Sequence, residues 1–299
     1  MLSILPIPTR EDVAEVQRAF EKLRHGQPFP TAAEREDRLE RLEGLVSKHR
    51  EAFVAACDAD FGGRGRHETL IVEVALTLES VRDARRNLRG WMQRTRVRPH
   101  VGFLGSHAYV EHVPKGVVAI LSPWNYPVNL ALAPLAAALA AGNRALLKPS
   151  ELTPRVSAAI AQAVRDTFTA EEVAVVEGGP AVAQAVVKLP LDHLFFTGST
   201  QVGQKIARAA AEGLVPVTLE LGGKSPAYVQ ADFPVARAAE RIAVGKLFNG
   251  GQTCVAPDWV LLPEGKELVF AEAFKATVRD EWRGARVTAM ATEKGLQRM

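Results

Sequence analysis

Gly116-Val117-Val118-Ala119-Ile120-Leu121-Ser122-Pro123-Trp124-Asn125-Tyr126-Pro127 is the stretch that sets the architecture. Five consecutive apolar residues, three of them β-branched, run into a polar turn held between two prolines. A short strand that is apolar on both faces belongs in a sheet covered on both faces, which is the habit of parallel sheets. The same grammar continues downstream, with strands predicted at 117–121, 145–148, 174–177, 193–197 and 217–221. Helices are predicted between them, at 128–141, 154–168, 181–189 and 202–212, with Thr153-Pro154 read as an N-cap followed by an N1 proline. Alternating strands and helices predict an α/β fold around a parallel sheet.

Upstream the chain reads as helices. Thr31-Ala32-Ala33-Glu34 has the capping-box form. Behind it Leu39, Leu42, Val46, His49 and Phe53 recur at helical spacing until Phe61-Gly62-Gly63. Cys57 sits on this helix and reads as a small buried apolar residue. A second helix is predicted over 67–92. The segment 95–113, rich in Pro, Gly, His and β-branched residues, reads as a strand excursion.

Composition excludes several classes of function. Of 299 residues, 47% are hydrophobic and 24% charged, as in ordinary globular chains, and the net charge is only +3. Five acids and five bases interleave over 31–50, which reads as a solvated helix face; nucleic acid is not an expected partner. Two cysteines, Cys57 and Cys254, fit a reducing compartment and no disulfide framework. Residues 1–8 lack a basic n-region and are interrupted by prolines, unlike a signal peptide. The longest apolar stretch, 130–141, contains Pro134 and falls short of the ~20 residues that span a bilayer. The expectation is a soluble, cytoplasmic protein with no membrane partner and no bound metal.

Open parallel sheets bind ligands beyond the C-terminal ends of their strands. Asn125, Lys148, Glu151, Gly178-Gly179, Gly198-Ser199-Thr200 and Glu220 all fall there. Cys254 closes Phe248-Asn249-Gly250-Gly251-Gln252-Thr253-Cys254, a small-residue turn on which substrate and backbone donors could both reach a thiol. A thiol can attack a carbonyl, and a carboxylate such as Glu220, in Leu219-Glu220-Leu221-Gly222-Gly223-Lys224, can activate the water that releases the thioester. Asn125 is placed to donate to an oxyanion, or is simply a turn-forming asparagine. Lys148-Pro149-Ser150-Glu151 would hold the ribose of an adenine nucleotide, with Glu151 repelling a 2′-phosphate, or is a solvated loop before a helix. Phe196-Thr197-Gly198-Ser199-Thr200-Gln201-Val202-Gly203 offers a helix start to a phosphate, and reads equally as an ordinary strand-to-helix turn.

Taken together, Pro123-Trp124-Asn125-Tyr126-Pro127, Lys148-Pro149-Ser150-Glu151, Phe196-Thr197-Gly198-Ser199-Thr200, Leu219-Glu220-Leu221-Gly222-Gly223-Lys224 and Gly251-Gln252-Thr253-Cys254 resemble the aldehyde dehydrogenase superfamily in order and spacing, from about residue 10 to about 265. Ala59-Asp60-Phe61-Gly62, Glu68-Thr69-Leu70 and Cys254-Val255-Ala256-Pro257-Asp258 resemble its class 3 branch, particularly coniferyl aldehyde dehydrogenases. The resemblance implies a Rossmann-like NAD-binding domain at 1–94 and 114–221, an oligomerisation-type hairpin at 95–113 and part of an α/β catalytic domain at 222–299. It implies oxidation of an aromatic or medium-chain aldehyde to the acid, with Cys254 as nucleophile, Asn125 as oxyanion donor and Glu220 as the base for deacylation. The implied cofactor is NAD, with NADP possible, held by Pro123, Trp124, Lys148, Ser150, Glu151, Gly178, Thr197, Gly198, Ser199, Gly203, Leu221 and Gly222.

Only 45 residues follow Cys254. Family members run on through a Glu-Ile-Phe-Gly-Pro-type strand and a dimer-forming segment. Residues 277–299 form a polar tail that resembles the family poorly. The expectation is therefore a truncated, weakly active or inactive chain, lacking the segment through which the family forms homodimers or larger assemblies. Two alternatives stand beside it: a non-catalytic nucleotide-binding remnant, and a CoA-acylating dehydrogenase, against which Glu220 argues.

Overall fold

The computed structural model describes residues 10–103, 105–281 and 288. The expectations for residues 1–8 and for most of the 277–299 tail lie outside the described residues. In chain order the helices are α1 (Arg10–His25), α2 (Ala32–Asp60), α3 (Arg66–Thr69), α4 (Leu76–Trp91), α5 (Asn129–Ala140), α6 (Pro154–Arg165), α7 (Pro180–Val187), α8 (Thr200–Glu212), α9 (Val235–Leu247) and α10 (Glu267–Glu281). The strands are β1 (Thr95–Val97), β2 (Ala108–Val110), β3 (Val117–Leu121), β4 (Arg144–Lys148), β5 (Val173–Val175), β6 (His193–Gly198), β7 (Val217–Leu221), β8 (Ser225–Tyr228) and β9 (Pro257–Leu261).

The stretch that opens at Gly116 becomes the central strand. β3 is buried at every position and lies between β4 and β6 in a five-stranded parallel sheet of order β5-β4-β3-β6-β7. Successive side chains of a strand point to opposite faces. Val118 and Ile120 accordingly enter a core built with α2, α4, α5 and α6, while Val117, Ala119 and Leu121 enter a second core with α1, α7 and α8. Truncating such a residue costs about 2–5 kcal/mol, so Ile120→Ala alone would remove a large share of a domain's stability. The chain winds outward from β3 through β4 to β5, then returns to the other side of β3 as β6 and β7. The reversal between β3 and β6 is a topological switch point, where such sheets leave a crevice.

The capping box at Thr31 and Glu34 forms as expected. Two expectations need correction. Thr153 stands at the N-cap of α6 with Pro154 in its first turn as expected, but its side chain makes no capping hydrogen bond; the Asp60 carboxylate, from the end of α2, accepts the Val156 N–H at 2.9 Å in its stead. The 31–50 face is also not wholly solvated. Arg35 and Arg38 are buried, Arg35 donating to the Pro30 and Ala140 carbonyls and Arg38 pairing with Glu172 at 3.1 Å. Helix ends leave carbonyls without intrahelical partners, and a buried guanidinium satisfies them.

The helix predicted over 67–92 is present, with a wide π-turn at Leu70–Ala75 between α3 and α4. β1 and β2 form the expected antiparallel hairpin. Beyond β7, β8 and β9 pair in parallel as a separate two-stranded sheet, with α9 against β9 and α10 packed on α9. Among the described residues no helix is long and apolar enough to cross a membrane.

Candidate active site

The nucleophile candidate follows α9. The backbone leaves that helix through Phe248–Gly251, where Asn249, Gly250 and Gly251 have φ of 52°, 61° and 76°. Left-handed backbone is accessible to glycine and, among other residues, most readily to asparagine. A Cβ at Gly250 would stand 2.6 Å from the Thr288 carbonyl oxygen, so this turn admits little else. It delivers Cys254 to the surface with its residue exposed, while Cys57 is buried on α2 and its thiol is pushed far up by burial.

The loop after β3 is tied to this turn. The Asn125 side-chain amide donates to the Gln252 carbonyl at 2.9 Å, and the Asn249 amide donates to the Asn125 carbonyl at 2.9 Å. Tyr126 and Thr253 share a hydroxyl–hydroxyl hydrogen bond. The Asn249 N–H is in turn accepted by Glu68, whose other oxygen takes the Thr288 hydroxyl. Asn125 and Cys254, 129 residues apart, are thus held on one bonded frame.

Glu220 lies near the end of edge strand β7 and is exposed. The Gly222-Gly223-Lys224 turn that follows leads back to the cysteine. A Cβ built on Gly223 would lie 3.8 Å from the Cys254 carbonyl oxygen, and the Ser225 hydroxyl reaches that oxygen at 3.5 Å. Lys224 and Lys246 pair with Asp258 on β9, and the Lys224 hydrogen bond holds that carboxyl below its ordinary value.

The dinucleotide candidates occupy the same sheet edge. Lys148, at the end of β4, is buried and donates to the Pro149 carbonyl and, at 2.9 Å, to Glu151. Ser150 is buried and accepts the Leu152 N–H. Ser199 caps α8 by accepting the Val202 N–H, and this 13-residue helix presents its remaining N-terminal amides and positive dipole end beside the switch point. Gly198 and Gly203 are closely approached by side chains: a Cβ would lie 2.4 Å from the Phe196 ring and 2.7 Å from a Leu221 methyl respectively. Gly178 has φ +144°, with Val182 2.4 Å from its notional Cβ. Trp124 lies against Phe61 with ring centroids 6.5 Å apart, and Pro123 is half-buried beside it. This edge fits a dinucleotide: Thr197 Oγ1 is buried without a partner among the described residues, and a Cβ on Gly179 would meet open space.

Three residues that sequence reasoning passed over belong to this frame: Arg64, Glu73 and Asn249. Glu73 is the only charged residue in Leu70-Ile71-Val72-Glu73-Val74-Ala75, and Asn249 precedes two glycines; those were the available signals.

The chain matches the model of the aldehyde dehydrogenase family over residues 6–296, past residue 265, to which the resemblance was expected to extend; all but the last three residues of the 277–299 tail, expected to resemble the family poorly, lie within the match. It is 42% identical over 274 residues to a probable coniferyl aldehyde dehydrogenase of Pseudomonas aeruginosa, covering 91% of this chain and 58% of that protein. It is 48% identical over 227 residues to the coniferyl aldehyde dehydrogenase of Pseudomonas sp. strain HR199, covering 76% of this chain and 47% of that protein. Among solved structures it resembles substrate-bound Staphylococcus aureus AldH, with a TM-score of 0.87 and 35% identity over 98% of this chain and 64% of that one. It also resembles the Mycobacterium tuberculosis aldehyde dehydrogenase complexed with NAD+, with a TM-score of 0.85 and 26% identity over 97% of this chain and 61% of that one. The chain spans about half the length of the curated relatives it matches.

Proposed function

The chain belongs to the aldehyde dehydrogenase family, and from that premise we propose that it carries the nucleophile and dinucleotide edge of an enzyme oxidising an aromatic aldehyde of the coniferyl type to its acid. The observation that carries the reading is the bonded frame that sets the Asn125 amide against the turn of an exposed Cys254.

In this reading the Cys254 sulfur bonds to the aldehyde carbon. The carbonyl π pair moves to oxygen, where the Asn125 side-chain amide and the Cys254 N–H donate to the developing charge. NAD, when bound, supplies the hydride acceptor that turns the thiohemiacetal into a thioester. Lys148 and Glu151 would hold its adenine ribose and the start of α8 its pyrophosphate, with NAD favoured because Glu151 repels a 2′-phosphate. Glu220 takes a proton from water, the hydroxide adds to the thioester carbon, and the C–S bond breaks to release acid and thiolate. The hydrolytic role of Glu220 favours this route over transfer to CoA. We assign the hairpin 95–113 to contact with a second copy.

NADH fluorescence with NAD and coniferyl aldehyde tests the reading. The expected result is slow NADH formation that Cys254→Ala abolishes. A rate identical in the Cys254→Ala chain, or NAD binding with no turnover for any aromatic aldehyde, would leave only a nucleotide-binding role.

A further inference from the structure

We propose that the buried Arg64–Glu73 ion pair is a positioning device for Asn125, fixing segment 125–129 from beneath so that the Asn125 amide faces the Cys254 turn. This rests on the aldehyde reading above. Both side chains are fully buried, 2.8 Å apart. A buried ion pair commonly adds no more stability than apolar residues of the same volume, so its presence asks for another explanation. Its remaining contacts converge on one loop. The second Glu73 oxygen accepts the N–H groups of Val128 at 3.1 Å and Asn129 at 2.7 Å. Arg64 also donates to the Asn125 carbonyl at 3.4 Å, and its guanidinium lies 4.8 Å from the Phe61 ring centroid and 5.0 Å from that of Tyr126.

The π-turn is the local device that makes this possible. Widened turns inside α-helices occur frequently at functional sites. Here Leu70–Ala75 carries Glu73 into the interior, the Thr77 hydroxyl donates to the Glu73 carbonyl at 2.5 Å, and the Asn129 amide donates to that hydroxyl at 3.1 Å. The guanidinium of Arg64 is held by one carboxylate, one carbonyl and ring faces, with the Cys57 thiol also beside it. The Asn125 carbonyl is therefore gripped from two sides, by Arg64 below and by Asn249 from the nucleophile turn. With its backbone held in this way, Asn125 lies where its side-chain amide donates to the Gln252 carbonyl of the nucleophile turn at 2.9 Å.

The test measures addition of the aldehyde rather than its oxidation, so it needs no cofactor. Cys254 alkylation by iodoacetamide is followed by mass spectrometry while benzaldehyde is titrated. Reversible addition consumes the thiol: a C–S bond forms, the carbonyl π bond opens, and the thiol proton ends on the new hydroxyl, with no change in oxidation state. In the parent chain benzaldehyde protects Cys254. In Arg64→Met/Glu73→Leu, which removes both charges together and keeps the volume filled, the half-protective concentration should rise about 10- to 100-fold, the scale on which misplacement of a reacting group acts. Alkylation without aldehyde supplies the reference rate for each variant, against which protection is scored, and adding Asn125→Ala to the double variant should cost nothing further. Glu73→Gln, which keeps shape and one acceptor, gives the same direction of change by a milder alteration. Full protection in a folded double variant or in Glu73→Gln would overturn the inference and leave the pair a packing feature. No protection in the parent chain would overturn the aldehyde reading itself, and the inference with it.

Discussion

At the scale of single residues, the proposed chemistry is divided between two side chains. Cys254 is exposed on a turn built from left-handed backbone, and Glu220 stands at the end of β7, whose following glycine turn reaches the Cys254 carbonyl. If Glu220 serves only deacylation, Glu220→Gln should give a burst of NADH close to one equivalent and then stall. Stopped-flow absorbance measures both phases, and steady turnover at the parent rate would remove Glu220 from the mechanism. Gly250 offers a second test at the same scale. Its φ of 61° and a Cβ position 2.6 Å from the Thr288 carbonyl make Gly250→Ala strained whatever the surroundings do. Turnover should fall about 100-fold as the sulfur is displaced, and alkylation kinetics at Cys254 would register that displacement independently of any substrate.

At the scale of elements, the sheet was legible because its information is local. In β3 and β4 each apolar residue answers the alternation of the two faces, and the strand ends fall within a residue or two of the sequence reading. What was not legible depends on partners far along the chain. Glu73 and Arg64 look like surface charges until α5 and the Asn125 loop arrive more than fifty residues later. Thr153 looked like a cap because its sequence neighbour is proline, yet the acceptor came from α2. That exchange makes a prediction. Asp60→Ala should destabilise the fold by about 1–2 kcal/mol, because the Val156 N–H loses a buried acceptor. Thr153→Ala should change stability by no more than about 0.5 kcal/mol, the range of substitutions that break no named interaction. Urea unfolding of the two variants decides between the caps.

The clamp of α2 onto β5 has a pH signature. Burial pushes the Glu172 carboxyl up, but hydrogen bonds and charge from Arg41, with the Thr169 N–H and Arg38, outweigh it and hold the group below the ordinary value. A carboxyl depressed in the folded state binds fewer protons there than when unfolded, so its contribution is present above the unfolded value and is lost as pH falls through the folded one. Stability should therefore decline on acidification from about pH 4.5, near the ordinary glutamate range. Glu172→Gln should be less stable at neutral pH and show a shallower acid decline. Parallel slopes for parent and variant in chemical unfolding would show that Glu172 does not contribute.

At the scale of the whole molecule, the unusual feature is where apolar surface remains outside. A two-stranded hairpin is at best marginally stable in water by itself. β1 and β2 nevertheless carry Val97, Tyr109 and Val110 in the open, and the linking 3-10 turn shows Val101 and Phe103 at 67% and 69% exposure. At its base a cavity of about 700 Å³ opens between α4 and α5, lined by Trp91, Met92, His112, Val113 and Ala137 among others. Exposed apolar patches of this kind mark surfaces that pair with another protein, and a second copy of the chain is the partner always present at matching concentration. Sedimentation velocity should accordingly show a concentration-dependent dimer or larger species. Phe103→Glu with Tyr109→Glu should shift it to monomer and leave the monomer folded, because neither ring enters either core, with the thermal midpoint falling only by what the lost association contributed. If the parent chain sediments as a monomer across the micromolar range, the hairpin does not mediate self-association.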